Sequence, residues 1–365
     1  MLENRTIAVV IPAYNEETQI REVIESMPDF VDKIVVVNDC SKDKTAGIVK
    51  SFWGTNWNQG IAIRNSLDIV IEGRFERANK VMQIQMREEL QLFTPSEVAN
   101  QNPESERIIL INQLQNAGVG AAIARGYKWC KDYNLDCTAV MAGDGQMDPA
   151  ELESICRPVV EENIDYVKGN RLIHRSALLV IPKVRYFGNS ILSILTKVAS
   201  GYWHVSDTQT GYTAISLKAL QSIRLYDIYK SYGMPNDMLV KLNIAFCSLR
   251  EIEIKPIYDI GEKSKMKVLK VIPRISWLLF KSFFKRLWIK YLFRDFHPLF
   301  LLYNLGFVLL FCSIPYFMKI MNAFILKIQI GTLPVLAFFF LFISGIQFLL
   351  FAMWMDIQDN ERLYK

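Results

Sequence analysis

Residues 7–39 read IAVVIPAYNEETQIREVIESMPDFVDKIVVVND and contain two apolar runs on either side of a helix-like segment. Ile7–Ile11 is a continuous apolar run that Pro12 ends, which predicts a buried strand followed by a loop. Glu16–Met27 is typical of a helix, and Lys33–Val37 repeats the strand pattern. This alternation predicts an α/β fold with a parallel sheet, in which ligands bind where the strands end.

Two more strands are predicted further along the chain, at Ile108–Asn112 and Thr138–Ala142. The interval Trp53–Arg107 is too long for an ordinary connection, and it contains polar stretches such as Arg87–Asn102. It therefore predicts an insertion, formed either by a helical excursion or by a mobile loop.

Beyond Gly169 the pattern is less regular. Phe187–Ala199 is amphipathic, Ser206–Ser216 has the composition of a loop, and Leu249–Ile257 alternates like an edge strand. We predict that the α/β domain occupies residues 1–265, with the insertion at about residues 53–107.

Polar side chains follow the first two predicted strands. Pro12, Ala13, Tyr14 and Glu16 follow the first strand, and Asp39 follows the second. Carboxylates and amides in these positions can accept hydrogen bonds from the base and ribose of a nucleotide. An acidic residue that opens a helix is also typical of an ordinary helix cap, so both interpretations stay open for Glu16.

A glycine-rich turn, Asn116–Ala122, opens a helix that runs through Arg125 to Trp129. Small residues let the backbone approach a ligand closely, and the N-terminus of a helix favours phosphate. The alternative is a simple junction between a loop and a helix.

Acidic residues follow the strand Thr138–Ala142, in the segment Asp144–Pro149 (DGQMDP). A carboxylate next to a diphosphate is repulsive unless a hard divalent cation lies between them, so Asp144 predicts a Mg²⁺ or Mn²⁺ site. Such a cation would take up charge that develops on a leaving nucleoside diphosphate. An Asp-Gly turn would explain the dipeptide alone.

The C-terminal third is apolar. Phe296–Met318 and Leu333–Met355 contain no Asp, Glu, Lys or Arg, and each is long enough to cross a bilayer. The loop Lys319–Thr332 carries two lysines, whereas residues 266–295 are amphipathic and heavily basic. The positive-inside rule therefore predicts two transmembrane helices, with the α/β domain and the tail Asp356–Lys365 in the cytoplasm.

Composition excludes several classes of protein. The 365 residues carry a net charge of +5, and the basic run between Lys263 and Arg294 is interleaved with aromatic residues, which favours an anionic membrane surface over nucleic acid. The six cysteines form no CxxC pair and the three histidines are scattered, so neither a disulfide framework nor a zinc site is predicted.

Seven ordered motifs carry a family resemblance: IPAYNEE, VVVNDCSKDKT, NAGVGAAIARGY, MAGDGQMDP, KGNRL, DTQTGY and EIEIKPIYDIGEKSK. This set resembles the family 2 glycosyltransferases that act on polyprenyl phosphates, which include dolichyl-phosphate mannose synthase and polyprenyl-phosphate glucosyltransferases. The resemblance covers about residues 6–52 and 107–265. It implies a GT-A fold with a Rossmann-like mixed sheet, a nucleotide-sugar donor, a lipid phosphate acceptor and inversion at the anomeric carbon.

The resemblance also implies roles for individual residues. On the donor side these are Pro12, Ala13, Tyr14, Glu16, Asp39, Asn116, Gly118, Gly120 and Arg125. Asp144 and Gln146 would bind the metal, Arg171 would neutralise phosphate, and Asp207 and Gln209 would lie in an acceptor-side loop with a part in catalysis. Ser264 and Lys265 would contact the lipid phosphate.

Two positions depart from the family pattern. Ala142 stands where many relatives have an acidic residue, so the metal would depend on Asp144, Gln146, phosphate and water. Val119 stands where a basic residue is common, so Arg125 or Arg171 would supply that charge.

Three alternatives remain at this stage: a processive polysaccharide synthase, a transferase to another membrane lipid, and a catalytically dead nucleotide-sugar-binding protein. The synthase is disfavoured because the chain has two predicted spans and lacks a QxxRW motif; Lys285–Trp288 comes nearest. UDP-glucose is the preferred donor, with GDP-mannose next, because DTQTGY looks closer to the glucosyltransferase branch. A homo-oligomer is possible.

Overall fold

The computed structural model describes residues 1–68, 73–257 and 268–365. These residues form an α/β domain built on one eight-stranded sheet, followed by a helical anchor. The strands are β1 Ile7–Ala13, β2 Lys33–Asn38, β3 Ser96–Val98, β4 Ile108–Gln113, β5 Cys137–Val140, β6 Tyr166–Asn170, β7 Thr213–Ser216 and β8 Leu249–Glu253. Their order across the sheet is β3-β4-β2-β1-β5-β7-β6-β8.

Twelve α-helices occur in the described part of the chain. In the domain they are α1 Ile20–Glu25, α2 Thr45–Lys50, α3 Arg77–Glu89, α4 Val119–Asp132, α5 Leu152–Glu161, α6 Ala177–Val180, α7 Lys183–Ser200, α8 Leu217–Ser222 and α9 Met234–Ile244. In the anchor they are α10 Val268–Trp288, α11 Pro298–Leu326 and α12 Thr332–Glu361, with a π-helical turn at Ile289–Arg294 between α10 and α11.

The central strands are buried on both faces. Val10, Val35 and Ile109 pack in the core on one face, whereas Val9 and Val36 pack in the core on the other. Successive strand side chains point to opposite faces, so only a continuous apolar run can satisfy two cores at once. This is why the runs in the sequence predicted the central strands.

The sheet is mixed. Strands β1, β2, β4 and β5 are mutually parallel, while β7 runs antiparallel to both β5 and β6. Strand β8 is parallel to β6. The segments after β1, β2, β4, β5 and β6, together with the segment that enters β7, therefore lie along the same edge of the sheet.

Several predicted boundaries were wrong. Strand β1 continues through Pro12 to Ala13, because its neighbour β5 pairs only as far as Val10 and no partner needs the missing N–H of Pro12. Helix α1 begins at Ile20 rather than Glu16, since the backbone N–H groups of Glu16 and Glu17 donate to side chains of the loop after β2.

Three strands, β3, β6 and β7, were not predicted. Strand β3 lies within the interval predicted as an insertion, and it pairs antiparallel to β4 at the edge of the sheet. Strand β7 lies within Ser206–Ser216, which was predicted to be a loop. Strands β3 and β7 are short, at three and four residues, so neither produces a recognisable pattern in the sequence. The helical excursion predicted for the insertion is present as α3.

Helices α11 and α12 are long and apolar enough, by length and composition, to cross a membrane. Both extend beyond the predicted spans, and the connection between them is reduced to residues 327–331. They pack closely at Gly306 and Gly345, where an added Cβ would lie 2.8 Å and 2.9 Å from leucine side chains of the opposite helix. Small residues at such a crossing allow helices to approach in a bilayer.

Two basic residues that the sequence assigned to a membrane surface are buried in the protein. Arg286 and Lys290 are both 0% exposed. Arg286 forms an ion pair with Asp356 of α12 at 2.7 Å, and Lys290 lies 3.3 Å from Asp359. A buried cation requires such partners, and here they come from about 70 residues further along the chain.

The segment predicted as a short tail, Asp356–Lys365, packs against the domain. Asp356–Glu361 belongs to α12, and the following residues reach the outer edge of β8. Leu249 N donates to Leu363 O at 2.7 Å, and Lys365 N donates back to Leu249 O at 2.9 Å. The sheet and the anchor therefore share backbone hydrogen bonds.

Candidate active site

The loops after β1 and β2 are joined by hydrogen bonds. Asn15 has a φ of +55°, and its N–H donates to Ser41 Oγ at 3.0 Å. Glu16 N donates to Thr45 Oγ1 at 3.0 Å, and Lys42 N donates to Asn15 Oδ1 at 2.8 Å. These contacts hold the half-buried side chains of Tyr14 and Glu16 beside the loop that follows β2.

Asp39, at the end of β2, links this loop to the glycine-rich turn. Its carboxylate accepts hydrogen bonds from Ala117 N at 2.7 Å and from Gly118 N at 2.8 Å, and only 3% of the residue is exposed. The Asn116 side chain donates to Asp39 O at 3.3 Å. The structure thus brings the predicted donor-side residues after β1, β2 and β4 together along one edge.

The glycine-rich turn packs closely against another segment of the chain, and its predicted contact with the donor remains a prediction. A Cβ added to Gly118 would lie 2.5 Å from Lys230 O, and one added to Gly120 would lie 2.1 Å from Tyr229 O. Gly120 N already donates to Lys230 O at 3.0 Å. The glycines therefore admit a segment of the chain itself. The N–H groups of Ala117 and Gly118, just before α4, donate to Asp39, and that of Gly120 in its first turn donates to Lys230 O.

Arg125 does not lie with the other donor-side residues. It is 5% exposed within α4, and its Nε donates to Ser96 Oγ of β3 at 2.8 Å. Burial lowers the pKa of its guanidinium, although Asp132 opposes this effect. Of the two arginines that could replace a basic residue at Val119, Arg171 is the one that lines the open cavity described next.

A small cavity of about 60 Å³ lies where β5, β6 and β7 meet, and Asp144, Gln146, Glu151 and Arg171 are among its lining residues. Asp144 Oδ1 accepts a hydrogen bond from Gln146 N at 3.1 Å. The Gln146 Nε2 atom is buried and has no hydrogen-bond partner within the described residues. The cavity is too small for a whole nucleotide-sugar.

The residues present fit a hard divalent cation that keeps other ligands. Asp144 and Glu151 supply carboxylates at the cavity, and Gln146 supplies an amide. The described residues contain no cluster of three or more His, Cys, Asp or Glu side chains that could hold a metal unaided. Mg²⁺ commonly uses one or two carboxylates together with substrate phosphates and water, which matches this set.

Arg171 follows β6 and is held by Asp207. Arg171 Nε donates to Asp207 Oδ2 at 2.8 Å, and Nη2 donates to Oδ1 at 3.1 Å. Burial tends to raise the pKa of Asp207, but the guanidinium of Arg171 outweighs burial and the pKa lies below its ordinary value. Asp207 is fully buried while Arg171 is partly exposed, so Asp207 fixes the direction of the cation.

Gln209 is held from the opposite side of the same loop. Its Nε2 donates to Asn236 Oδ1 of α9 at 2.9 Å, and Thr196 Oγ1 of α7 donates to the same oxygen at 2.8 Å. Ser264 and Lys265, the predicted lipid-phosphate contacts, lie outside the described residues.

The sequence did not indicate two charged residues at this site. Glu151 directly precedes α5, and its Oε1 accepts a hydrogen bond from Lys255 N at 2.9 Å. Lys255 Nζ lies 3.0 Å from Asp148 Oδ2. Lys255 follows the end of β8, and a correct β8 boundary would have placed it at this edge of the sheet.

A family model described as glycosyl transferase family 2 matches residues 8–66 and 94–224, which is more than half of the chain. The chain belongs to this family. The residues between the two matched segments, 67–93, include α3. The family resemblance and the GT-A fold expected from it are confirmed, and the roles of individual residues remain predictions.

Relatives of this family 2 glycosyltransferase carry names of the predicted type. It is 26% identical over 258 residues to the UDP-N-acetylglucosamine–dolichyl-phosphate N-acetylglucosaminyltransferase of Methanococcus voltae. The aligned region covers 70% of this chain and 88% of that protein. It is 23% identical over 300 residues to a dolichyl-phosphate beta-glucosyltransferase of Trichomonas vaginalis, which covers 77% and 74%.

Among solved structures, glucosyl-3-phosphoglycerate synthase from Mycobacterium tuberculosis, crystallised with Mn²⁺, UDP and glucosyl-3-phosphoglycerate, is similar to this glycosyltransferase. The match has a TM-score of 0.46 and 16% identity, and it covers 78% of this chain and 80% of the synthase.

Proposed function

We propose that this family 2 glycosyltransferase transfers a hexose from a nucleoside diphosphate to the phosphate of a polyprenyl lipid, with inversion at the anomeric carbon. The observation that carries the proposal is the cavity at the ends of β5 and β6, where Asp144 and Gln146 face the partly exposed cation of Arg171. The names of the dolichyl-phosphate relatives support the same acceptor class.

The site chemistry suits two negatively charged reactants. A lipid monophosphate is substantially ionised at neutral pH, because the second pKa of a phosphate ester is about 6. It can attack without a strong general base, so the protein must mainly position the reactants and reduce their repulsion. Arg171 is suited to this task because Asp207 fixes it in a bidentate geometry while leaving it partly exposed.

A divalent cation, Mg²⁺ or Mn²⁺, completes the proposal. Asp144 and Gln146 would hold it, with Glu151 at the same cavity. When bound, it would neutralise the donor diphosphate and the charge on the leaving group. The buried, unpaired amide nitrogen of Gln146 is a hydrogen-bond donor, so it supports an acceptor such as a phosphate oxygen of the donor beside the cation.

The donor is proposed to be a UDP-sugar. UDP-glucose was preferred from the sequence and GDP-mannose came next, while one relative is named for UDP-N-acetylglucosamine. Discrimination between these sugars depends on a few pocket contacts, so all three belong in the test.

The reaction is proposed to occur at the cytoplasmic face of a membrane. Helices α11 and α12 can each span a bilayer, and the residues that follow α12 return to the domain at β8. Both ends of the helical hairpin therefore lie on the side of the domain. The basic residues of α10 lie on this side as well, and the positive-inside rule therefore favours placing the domain in the cytoplasm.

The test is transfer of radiolabel from UDP-glucose, UDP-N-acetylglucosamine and GDP-mannose to polyprenyl phosphate in detergent, with and without Mg²⁺ or Mn²⁺. We expect a metal-dependent, acid-labile lipid product that is lost in Asp144→Ala. Asp29→Asn is the matched control, because Asp29 is exposed and lies in the loop before β2, away from the site.

Other outcomes separate the remaining functions. Label transferred to diacylglycerol or to a growing polysaccharide, and not to polyprenyl phosphate, would refute the acceptor. Nucleotide-sugar binding without a product from any acceptor would favour a binding protein.

A further inference from the structure

We infer that Glu251, in the middle of β8, is a positioning residue that holds Arg171 in place from two sides for the reaction proposed above. Glu251 is the first residue of the motif EIEIKPIYDIGEKSK, but the sequence assigned it no role of its own. The inference rests on the proposed function only for its catalytic consequence. Its structural consequence can be measured without any substrate.

The first side is the loop that carries Asp207. Glu251 Oε1 accepts hydrogen bonds from Ser206 N at 3.0 Å and from Asp207 N at 3.1 Å. Glu251 Oε2 accepts from Ser206 N at 2.9 Å. The backbone of Asp207 is therefore fixed by Glu251, while the carboxylate of Asp207 binds the guanidinium of Arg171.

The second side is the end of β6. Glu251 Oε2 accepts a hydrogen bond from Asn170 Nδ2 at 2.9 Å. The other end of this amide, Asn170 Oδ1, accepts from Leu172 N at 2.9 Å. Asn170 and Leu172 are the two neighbours of Arg171 in the chain, so Glu251 restrains the backbone on both sides of it.

The orientation of the Asn170 amide is fixed by these two bonds. Turning it over would point its nitrogen at Leu172 N and its oxygen at the Glu251 carboxylate, which places like against like at both ends. The Asn170 side chain is 0% exposed, so water cannot replace either bond. Glu251 must therefore accept at this position.

The charges around Glu251 balance. Lys168 is 0% exposed, its Nζ donates to Thr210 O, and it interacts electrostatically with both Asp207 and Glu251. Together with Arg171 these residues make two cations and two carboxylates beneath the cavity. Burial raises the pKa of Glu251, an effect that its hydrogen bonds from Ser206, Asp207 and Asn170 oppose. A neutral residue at position 251 would leave the cluster with an uncompensated positive charge.

Glu251→Gln is the informative substitution, since it keeps the size of the side chain. Its amide nitrogen would face a donor at either position, Asn170 Nδ2 or a backbone N–H, so at least one hydrogen bond must be lost. Glu253→Gln is the matched control, because Glu253 is an exposed residue on the same strand with the same chemistry.

Two measurements test the inference. The first is hydrogen exchange of residues 203–212 without substrate, where loss of about one hydrogen bond should speed exchange of the Ser206 and Asp207 amides about ten-fold. The second is transfer kinetics, where kcat should fall by up to about 100-fold with little change in donor KM, because misplacement of a reacting group by about 1 Å has effects of this size. Glu253→Gln should change neither.

A double-mutant cycle separates positioning from a general loss of stability. If Glu251 acts through Arg171, then Arg171→Lys combined with Glu251→Gln should be no slower than Arg171→Lys alone. Multiplicative effects on kcat would overturn the inference. Unchanged exchange in Glu251→Gln would overturn it whatever the kinetics. Faster exchange in Glu251→Gln, together with a wild-type protein that transfers no sugar, would refute only the proposed function.

Discussion

Gly120→Ala tests whether the glycine-rich turn binds a ligand or admits another segment of the chain. The new methyl group would lie 2.1 Å from Tyr229 O, so the two segments must separate by about 1 Å to reach ordinary contact distance. Overpacking of this kind costs about 1–3 kcal/mol, and weakening of the bond from Gly120 N to Lys230 O adds about 1 kcal/mol. We therefore expect the free energy of unfolding to fall by about 2–4 kcal/mol.

The assay is chemical denaturation of the detergent-solubilised protein, with Gly47→Ala as the control. Gly47 lies in α2, and a Cβ added there would have nothing within 4 Å. That substitution should be neutral or stabilising by up to about 1 kcal/mol, because alanine is the better helix former. A Gly120→Ala protein with wild-type stability and a raised donor KM would refute the chain-packing interpretation and restore the predicted contact with a ligand.

Three further predictions concern charged groups. Asp356→Ala leaves Arg286 buried without its carboxylate and should cost about 3–5 kcal/mol in a denaturation experiment, whereas Arg362→Ala, which removes an exposed pair, should cost less than about 1 kcal/mol. Asp39→Asn places an amide nitrogen against a backbone N–H of the glycine-rich turn, so the free energy of unfolding should fall by about 1–3 kcal/mol. An unchanged free energy of unfolding would show instead that water can reach those N–H groups. Burial lowers the pKa of Lys168 to about 8, so the folded state binds this proton less tightly than the unfolded state; the free energy of unfolding should rise between pH 8 and about 10.5, and Lys168→Met should remove this part of the slope.

The central sheet was predictable because its strands are buried on two faces. A run such as Ile7–Ile11 has no polar residue, and its members alternate between two separate cores. The short strands β3 and β7 could not be found in this way. Their place in the sheet depends on pairing with β4 and with β5 and β6, and pairing partners leave no mark on a segment of three or four residues.

The sequence predicted the edge of the sheet at which the candidate site lies, but not the contacts within the site. Residues that follow strands had to converge, which placed Asp39 and Asp144 along one edge. Arg171 was assigned only from the family resemblance, because the strand before it, β6, was not predicted. The use made of the glycine-rich turn depends on Lys230, about 110 residues away in the chain. The spacing of small residues around Gly120 is the same whether a phosphate or a carbonyl oxygen occupies the space beside it. Only the fold therefore distinguishes these two occupants.

The buried charges of the anchor show where the sequence did contain a usable signal. A basic run is compatible with a membrane surface, and nothing within α10 distinguishes Arg286 from its exposed neighbours. An aspartate that directly follows a 23-residue apolar run is different, because a carboxylate at that place needs a partner. Asp356 could therefore have predicted that one of the preceding cations is buried.

That pair also connects the anchor to the site. Arg286 Nε donates to Ala199 O at the end of α7 at 2.9 Å, and Thr196 of the same helix donates to Asn236, which holds Gln209. A chain of hydrogen-bonded and packed groups thus runs from α12 to the loop that carries Asp207. Such a chain fixes the position of this loop relative to α11 and α12, so the distance of the proposed site from these two helices is set by the protein.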